Sequence, residues 1–319
     1  MKKIGVLTSG GDAPGMNAAV RSIVRTALAK DLEVIGIFKG YSGLIDEEIK
    51  PLNHRSVSNI INRGGTVLKT SRCEEFMTKE GQRKAVEVIK RNRIDGLVII
   101  GGDGSYRGAQ VLSKEWNIPC IGVPGTIDND LNGTDYTIGS DTALNTALEA
   151  IDKIRDTVTS LERIFVVEVM GRLSGYIALN VALAGGAEQV VLPERRFDIQ
   201  QMCQEITEGY IRGKASWIII VAEGVIKGHD IAEKINKNTD LETRVVVLGH
   251  IQRGGSPTAK DRVLATCLGA AAVDLLLKGE SGKAVGVAGE DINVVSIEEA
   301  VSKKVLKTES ICNLIRVLT

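Results

Sequence analysis

The sequence predicts an α/β protein built as two domains, each a mainly parallel sheet flanked by helices. Three observations carry this expectation. Short Val/Ile-rich runs recur along all 319 residues, most of them four to six apolar residues bounded by Gly, Pro or charge. That is how strands buried on both faces read. Segments of helical periodicity lie between several of them, and alternating strand and helix favours parallel sheets. Finally, nearly every run ends in glycine plus a polar cluster, which puts ligand-binding groups at the carboxyl ends of strands.

Taken in order, the predicted strands are IGVLTS from Ile4, EVIGIF from Glu33, GLVIIGG from Gly96 and PCIGVPG from Pro119. RIFVVEVMG from Arg163, EQVVLPE from Glu188, WIIIVAEG from Trp217 and RVVVLGH from Arg244 follow. Apolar residues spaced at three and four predict helices over Ala18–Lys30, Gly81–Arg91, Asp141–Ser160, Ile199–Arg212 and Thr258–Lys278. Asp141 or Ser140 suits the N-cap of the third of these. Eight or more strands over this length imply two sheets and hence two domains. No low-complexity linker marks a boundary.

Composition narrows the function. With 43% hydrophobic residues the chain can bury a sizeable core. Forty basic residues balance forty acidic ones, which excludes the basic excess of a nucleic-acid binder. An anionic ligand must then be held by local arginines, lysines and backbone N–H groups. The five cysteines are scattered singly with no CxxC pair and no zinc spacing, so disulfides are not expected. The start, MKKIGVLTSGGD, has too short an apolar stretch for a signal peptide, and no run approaches a membrane span. The expectation is a cytoplasmic protein that binds neither nucleic acid nor membrane.

Six strand endings hold the candidate chemistry. TSGGDAPGMN, from Thr8, runs from strand through Gly10-Gly11 towards a helix, so backbone N–H groups and the helix dipole can meet an anion. It lacks the Lys-Ser/Thr of a P-loop and is also compatible with an ordinary tight turn. GGDGS, from Gly101, repeats the design around Asp103, which suits either an Mg²⁺ carried by a nucleotide or a helix N-cap. PGTIDND, from Pro124, places Asp128 and Asp130 two apart, which in an extended segment points them the same way. A carboxylate here can orient and deprotonate an attacking hydroxyl, although Asp and Asn also favour plain turns. VMGR with Arg172, AEG with Glu223, and GHIQRGG with His250, Gln252 and Arg253 complete the set. Arg163 and Arg244 begin the runs that end in VMGR and GHIQRGG, and arginines at so many strand tips suit phosphate recognition.

In this order the six motifs resemble the bacterial ATP-dependent 6-phosphofructokinase family from Lys3 to about Gly286. The resemblance implies an active site in the cleft between the two domains and phosphoryl transfer from MgATP to the 1-hydroxyl of fructose 6-phosphate. It implies a nucleotide domain at 1–138 plus 251–304 and a sugar-phosphate domain at 139–250 plus 305–319. By the same likeness Asp128 is the general base, Thr126 and Asp130 support the reacting groups, and Arg172 and Gly11 stabilise the charge in transfer. Gly11, Tyr41, Arg72, Cys73, Gly102, Asp103, Gly104, Ser105 and Gly108 correspond to the nucleotide site, Tyr41 as an adenine-side aromatic and Asp103 as the Mg²⁺ ligand. Thr126, Ile127, Asp128, Met170, Gly171, Arg172, Glu223, His250 and Arg253 correspond to the sugar-phosphate site. Arg163 and Arg244 are expected to reach it from a neighbouring subunit of a homotetramer. Relatives that use pyrophosphate typically carry Asp at the position of Gly104 and Lys at that of Gly125, so ATP is the expected donor. A binding-only sensor would be expected to lose a catalytic carboxylate, and Asp103 and Asp128 are both present.

The resemblance also implies an effector site for ADP or GDP and phosphoenolpyruvate, at Arg21, Arg25, Ser58, Arg155, Gly186, Glu188, Arg212 and Lys214. Arg21 and Arg25 are four apart and share a helix face. His54 stands where the family often has Arg, Asn59 where Asp is frequent, and Ala215-Ser216 depart from a common Lys-His. An altered effector response is expected from these changes. Ser140 replaces a usual aromatic and Tyr176 a usual Asp nearer the active site. Nothing functional is assigned to the last ~30 residues.

Overall fold

The computed structural model describes residues 1–161, 163–214 and 216–318. Ala215, one of the expected departures in the effector region, lies outside them. The chain divides into two compact units, 1–142 with 253–304 and 143–252 with 305–319. Among the described residues no helix is long and apolar enough to cross a membrane.

Unit 1 opens with β1 (Lys3–Thr8), α1 (Met16–Leu28), β2 (Glu33–Ile37), α2 (Gly40–Ile45), β3 (Ile49–Leu52) and α3 (Lys79–Arg91). It continues through β4 (Gly96–Gly101), α4 (Asp103–Trp116) and β5 (Cys120–Pro124) to the first turn of α5 (Ser140–Leu161). Unit 2 holds the rest of α5, then β6 (Ile164–Val169), α6 (Tyr176–Ala184), β7 (Gln189–Val191) and α7 (Ile199–Ile211). β8 (Trp217–Ala222), α8 (Gly228–Thr239) and β9 (Thr243–Val247) follow. The chain re-enters unit 1 for α9 (Ala259–Leu277), β10 (Lys283–Ala288), β11 (Asp291–Ser296) and α10 (Ile297–Ala300), and ends in unit 2 with α11 (Glu309–Leu318).

The sheet of unit 1 runs β11-β10-β5-β4-β1-β2-β3, parallel except for β3 and β11 at its two edges. Its central strands are mostly apolar because α-helices cover both faces, and Ile4, Val6, Leu97, Ile99, Ile121 and Val123 are fully enclosed. Each such side chain removed from water contributes about 1.5–3 kcal/mol. The sheet of unit 2 runs β7-β8-β6-β9, all parallel. β6 and β8 are wholly buried, but β9 is an edge strand with Val247 half exposed, so the reading of RVVVLGH as buried on both faces fails there.

All eight expected strands are present, and the five helices begin and end within two residues of expectation. Local capping explains several boundaries. The Thr78 hydroxyl accepts from Gly81 N–H at the start of α3, the Asp198 carboxylate from Gln200 N–H at α7, and the Thr258 hydroxyl from Asp261 N–H at α9. The start of α5 differs. Asp261, a buried residue on α9, accepts from Gly139 N–H, Thr142 N–H and the Thr142 hydroxyl, so the cap is borrowed from 120 residues downstream. Ser140 instead donates its hydroxyl to the Thr137 carbonyl. A sequence window around residue 140 cannot contain that partner.

Candidate active site

In unit 1 the carboxyl ends of β5, β4 and β1 are neighbours on one edge of the sheet, because the three strands are adjacent and parallel. PGTIDND, GGDGS and TSGGDAPG therefore start side by side. The approaches are close. Gly125 N–H donates to the Gly101 carbonyl at 3.0 Å and Ser9 N–H to that of Ile100 at 3.0 Å. A Cβ on Gly102 would touch Thr126, and one on Gly101 would lie 2.6 Å from the Ser9 carbonyl oxygen.

The first turn is filled from behind. The Arg253 guanidinium donates to the Asp12 carbonyl at 3.1 Å, and a Cβ on Gly11 would fall 2.2 Å from its Nη1. Arg253, expected with the sugar phosphate, thus stands beside Gly11 in unit 1. Thr70 donates to the Gly10 carbonyl at 2.6 Å and anchors the loop that carries exposed Arg72 and half-buried Cys73. Burial raises the Cys73 thiol, and its side chain packs against the core of unit 1.

The second turn is open. Gly104 has nothing within 4 Å of where a Cβ would be. Asp103 lies in the first turn of α4, paired with Arg107 at 3.0 Å, and the Ser105 hydroxyl is buried with no hydrogen-bond partner. Tyr41, expected on the adenine side, packs into unit 1 next to the second turn. Tyr41 is only 5% exposed, its ring stacks on Phe76 with centroids 4.2 Å apart, and its hydroxyl donates to the Ser105 carbonyl at 2.6 Å. Gly108 lies against the same ring. Tyr41 supports the turn from beneath, because a side chain that long on α2 reaches the core before it reaches solvent.

The third turn holds Asp128, 3% exposed. Asn129 sits at φ +47°, in the left-handed region that Asn tolerates better than most side chains. The segment is therefore a turn, and the extended geometry expected for Asp128 and Asp130 does not apply. Asp128 N–H donates to the Thr126 hydroxyl at 3.2 Å, and the Thr126 carbonyl accepts from Thr137 at 2.6 Å. Ile127 is fully buried, so only its main chain can meet a ligand.

Unit 2 repeats the arrangement, with the ends of β8, β6 and β9 adjacent. Arg172 has φ +53°, an uncommon conformation for a long side chain that suggests a function. Glu223 fixes it by accepting from Arg172 N–H at 3.1 Å, and a Cβ on Gly224 would strike the Arg172 carbonyl. Met170 N–H donates to Gln252 Oε1 at 2.9 Å, and His250 is exposed in the turn preceding Gln252. Arg163 and Arg244 meet at Glu242, which pairs with Arg163 at 2.8 Å and also with Arg244. Glu242 was missed, since a lone acid before a strand reads as surface.

Of the effector set, unit 2 brings together Arg155, Gly186, Glu188 and Lys214. Arg155 donates to the Gly186 carbonyl at 2.6 Å, and buried Glu188 accepts from Ile218 N–H at 2.6 Å and pairs with Lys214 at 3.3 Å. Arg212 lies just past α7, within reach of Glu208. In unit 1, Arg21 and Arg25 lie on α1, and Ser58 bonds back to the Arg55 carbonyl within an exposed turn next to Asn59 at φ +56°.

These features match known proteins. The sequence profile described as phosphofructokinase aligns with residues 3–276. A Bacillus velezensis protein named ATP-dependent 6-phosphofructokinase is 59% identical over 303 residues, covering 94% of this chain and 95% of its own. A Halothermothrix orenii protein of the same name is 54% identical over 331 aligned residues and covers 100% of both chains. Among solved structures, phosphofructokinase from Saccharomyces cerevisiae superposes with a TM-score of 0.87 at 36% identity over 94% of this chain. This chain spans only 45% of that longer one. With a family profile aligned over residues 3–276 and relatives 54–59% identical over nearly the whole chain, the chain belongs to the phosphofructokinase family.

Proposed function

We propose that this protein is a glycolytic kinase that moves the γ-phosphoryl group of ATP to the 1-hydroxyl of fructose 6-phosphate. The observation that carries this reading is the shared edge of β1, β4 and β5, where GGD, GGDGS and PGTIDND lie side by side. Unit 1 is assigned the nucleotide and the base, and unit 2 the sugar phosphate.

Asp128 accepts the proton of the 1-hydroxyl as that oxygen forms its bond to the γ-phosphorus. The bond from phosphorus to the β–γ bridging oxygen breaks, and ADP leaves with the electron pair. Such transfers are mostly a matter of positioning and charge stabilisation, so a carboxylate base suffices. Arg172 is assigned to stabilising the charge in transfer and Gly11 to the catalytic set, and the Thr126 hydroxyl accepts from the Asp128 main chain. Asp103 would hold Mg²⁺ carried on the phosphates, which supplies charge neutralisation, and the open space at Gly104 with the buried Ser105 hydroxyl fits a phosphate there.

ATP suits the site as donor for a steric reason as well. A Cβ on Gly125 would lie 2.9 Å from Ile100 and 3.0 Å from Met16, so lysine does not fit without displacing core side chains. Arg163 and Arg244, organised by Glu242, serve a neighbouring subunit of a homotetramer. The effector set, Arg21, Arg25, Ser58, Arg155, Gly186, Glu188, Arg212 and Lys214, is assigned to a site between subunits for ADP, GDP or phosphoenolpyruvate. A coupled assay with fructose 6-phosphate, Mg²⁺ and either ATP or pyrophosphate tests the reading. Turnover with ATP is expected, and turnover with pyrophosphate alone overturns it. Asp128→Ser is expected to lower kcat by about 10²–10⁴-fold, and near-normal turnover would remove Asp128 from the chemistry.

A further inference from the structure

We infer that Lys304 is a positioning residue for the catalytic turn, clamping Asn129 between the base Asp128 and its neighbour Asp130. The inference rests on the proposed role of Asp128. Lys304 is the last residue of unit 1 before the chain leaves for unit 2, in the C-terminal segment to which the sequence assigns no function. Its ammonium donates to Asn129 Oδ1 at 3.0 Å and to the Thr134 carbonyl at 2.7 Å. Asn129 is 4% exposed, and its Nδ2 donates to the Asp135 carbonyl at 3.0 Å. Both ends of the Asn129 amide are thus committed, one to Lys304 and one to the main chain of its own loop.

That commitment has a backbone consequence. At φ +47° Asn129 sets the direction in which the chain leaves Asp128. A left-handed residue persists only where its surroundings fix it. The fixing groups here are Lys304 and the Asp135 carbonyl. The neighbouring chain reinforces the contact, since Asn132 N–H donates to the Ala300 carbonyl at 2.9 Å and Asn132 Nδ2 to the Ser302 hydroxyl at 3.1 Å.

The ammonium is also an electrostatic element. The charged groups that face it are Asp135 and Asp130. Burial pushes Lys304 down to about 8, and the two carboxylates only partly oppose this. Protonated, it offsets both acids beside the base. Above about pH 8 it loses that charge, and the turn is expected to loosen.

The test uses the full-length enzyme with Lys304→Met and Lys304→Arg, assayed with fructose 6-phosphate and MgATP from pH 6.5 to 9.5. Misplacing a reacting group by about 1 Å costs about 10²-fold, so Lys304→Met is expected to lower kcat about 10–100-fold with both KM values little changed. Lys304→Arg keeps its charge throughout the range. It is expected to recover most of kcat at pH 7 and to lack the alkaline decline that the wild type shows near pH 8. If Lys304→Met fails to fold, the pH profile of Lys304→Arg still decides. An unchanged kcat in Lys304→Met, or an alkaline limb that Lys304→Arg leaves in place, overturns the inference. Loss of activity in Asp128→Ser alongside a normal Lys304→Met refutes the role of Lys304 alone, whereas a fully active Asp128→Ser refutes the site reading on which it rests.

Discussion

The turns at Gly10–Asp12 and Gly101–Asp103 share the letters Gly-Gly-Asp, the strand before and the helix after, yet their surroundings are opposite. At the first, Arg253 fills the space beside Gly11 so closely that one added carbon would collide with its guanidinium. At the second, Gly104 faces open space and the Ser105 hydroxyl is left without a partner. The same local chemistry thus serves two ends. One turn is crowded at Gly11 by another part of the protein, and the other leaves room at Gly104 that the proposed phosphate would fill. Spacing in a sequence cannot separate these cases, since the group that closes the first turn arrives 241 residues later.

The largest effect is expected from crowding the closed turn. Gly11→Ala should push the Arg253 guanidinium off the Asp12 carbonyl, and a displacement of that size costs about 10²-fold in kcat/KM. The structural cost should be small, because the displaced atoms are the far end of a flexible side chain, and a melting curve would show little change. Arg253→Ala sharpens the point. If the loss in Gly11→Ala acts through Arg253, the double variant is no slower than Arg253→Ala alone, a non-additivity that a double-mutant cycle reads directly. Additive losses would mean that the closed turn works some other way.

A smaller effect of opposite sign is expected at the open turn. Gly104 is helical and unobstructed, so Gly104→Ala should stabilise the protein by about 0.4–1 kcal/mol, visible in urea unfolding. The same methyl occupies the phosphate space, so KM for ATP should rise while KM for fructose 6-phosphate holds. A stabilised variant with an unaltered KM for ATP would erase the distinction between the two turns.

A pH effect extends the comparison to the third turn. Lys304 is held near 8 in the folded protein against an ordinary value of 10.5, so between those limits the unfolded chain binds more protons. Stability from this group therefore rises as pH climbs from about 8 to 10.5, while activity is expected to fall. Denaturant unfolding at both ends of that window, with Lys304→Met as reference, should show the gain in the wild type only.

The elements that could be read from the sequence are those whose cause is local. Alternating helix and strand periods, glycine at strand ends, and caps such as Thr78 and Thr258 all lie within a few residues of what they determine. β3, β10 and β11 went unseen. β3 and β11 are antiparallel edges with mixed exposure and only a weak apolar signal, and β10 pairs with β11 through a turn that carries no ligand chemistry. The acidic and arginine residues proposed for the site stand out in the sequence through their joint order. What escaped is what holds them in place: Asp261 at the start of α5, Glu242 between two arginines, and Lys304 on Asn129. Each is a polar side chain satisfied by a partner far away in the chain.

The threefold passage of the chain between the units, after residues 142, 252 and 304, bears on how the protein is born. As it emerges from the ribosome, the second unit's four strands are all available by residue 247, while the first unit still lacks the strand that flanks β5. The later-encoded sheet can therefore close first, leaving one side of β5 without a neighbour until residues 283–288 are made. A nascent chain stalled between those points would expose a bare, apolar strand edge, the kind of surface that chaperones recognise and that seeds aggregation.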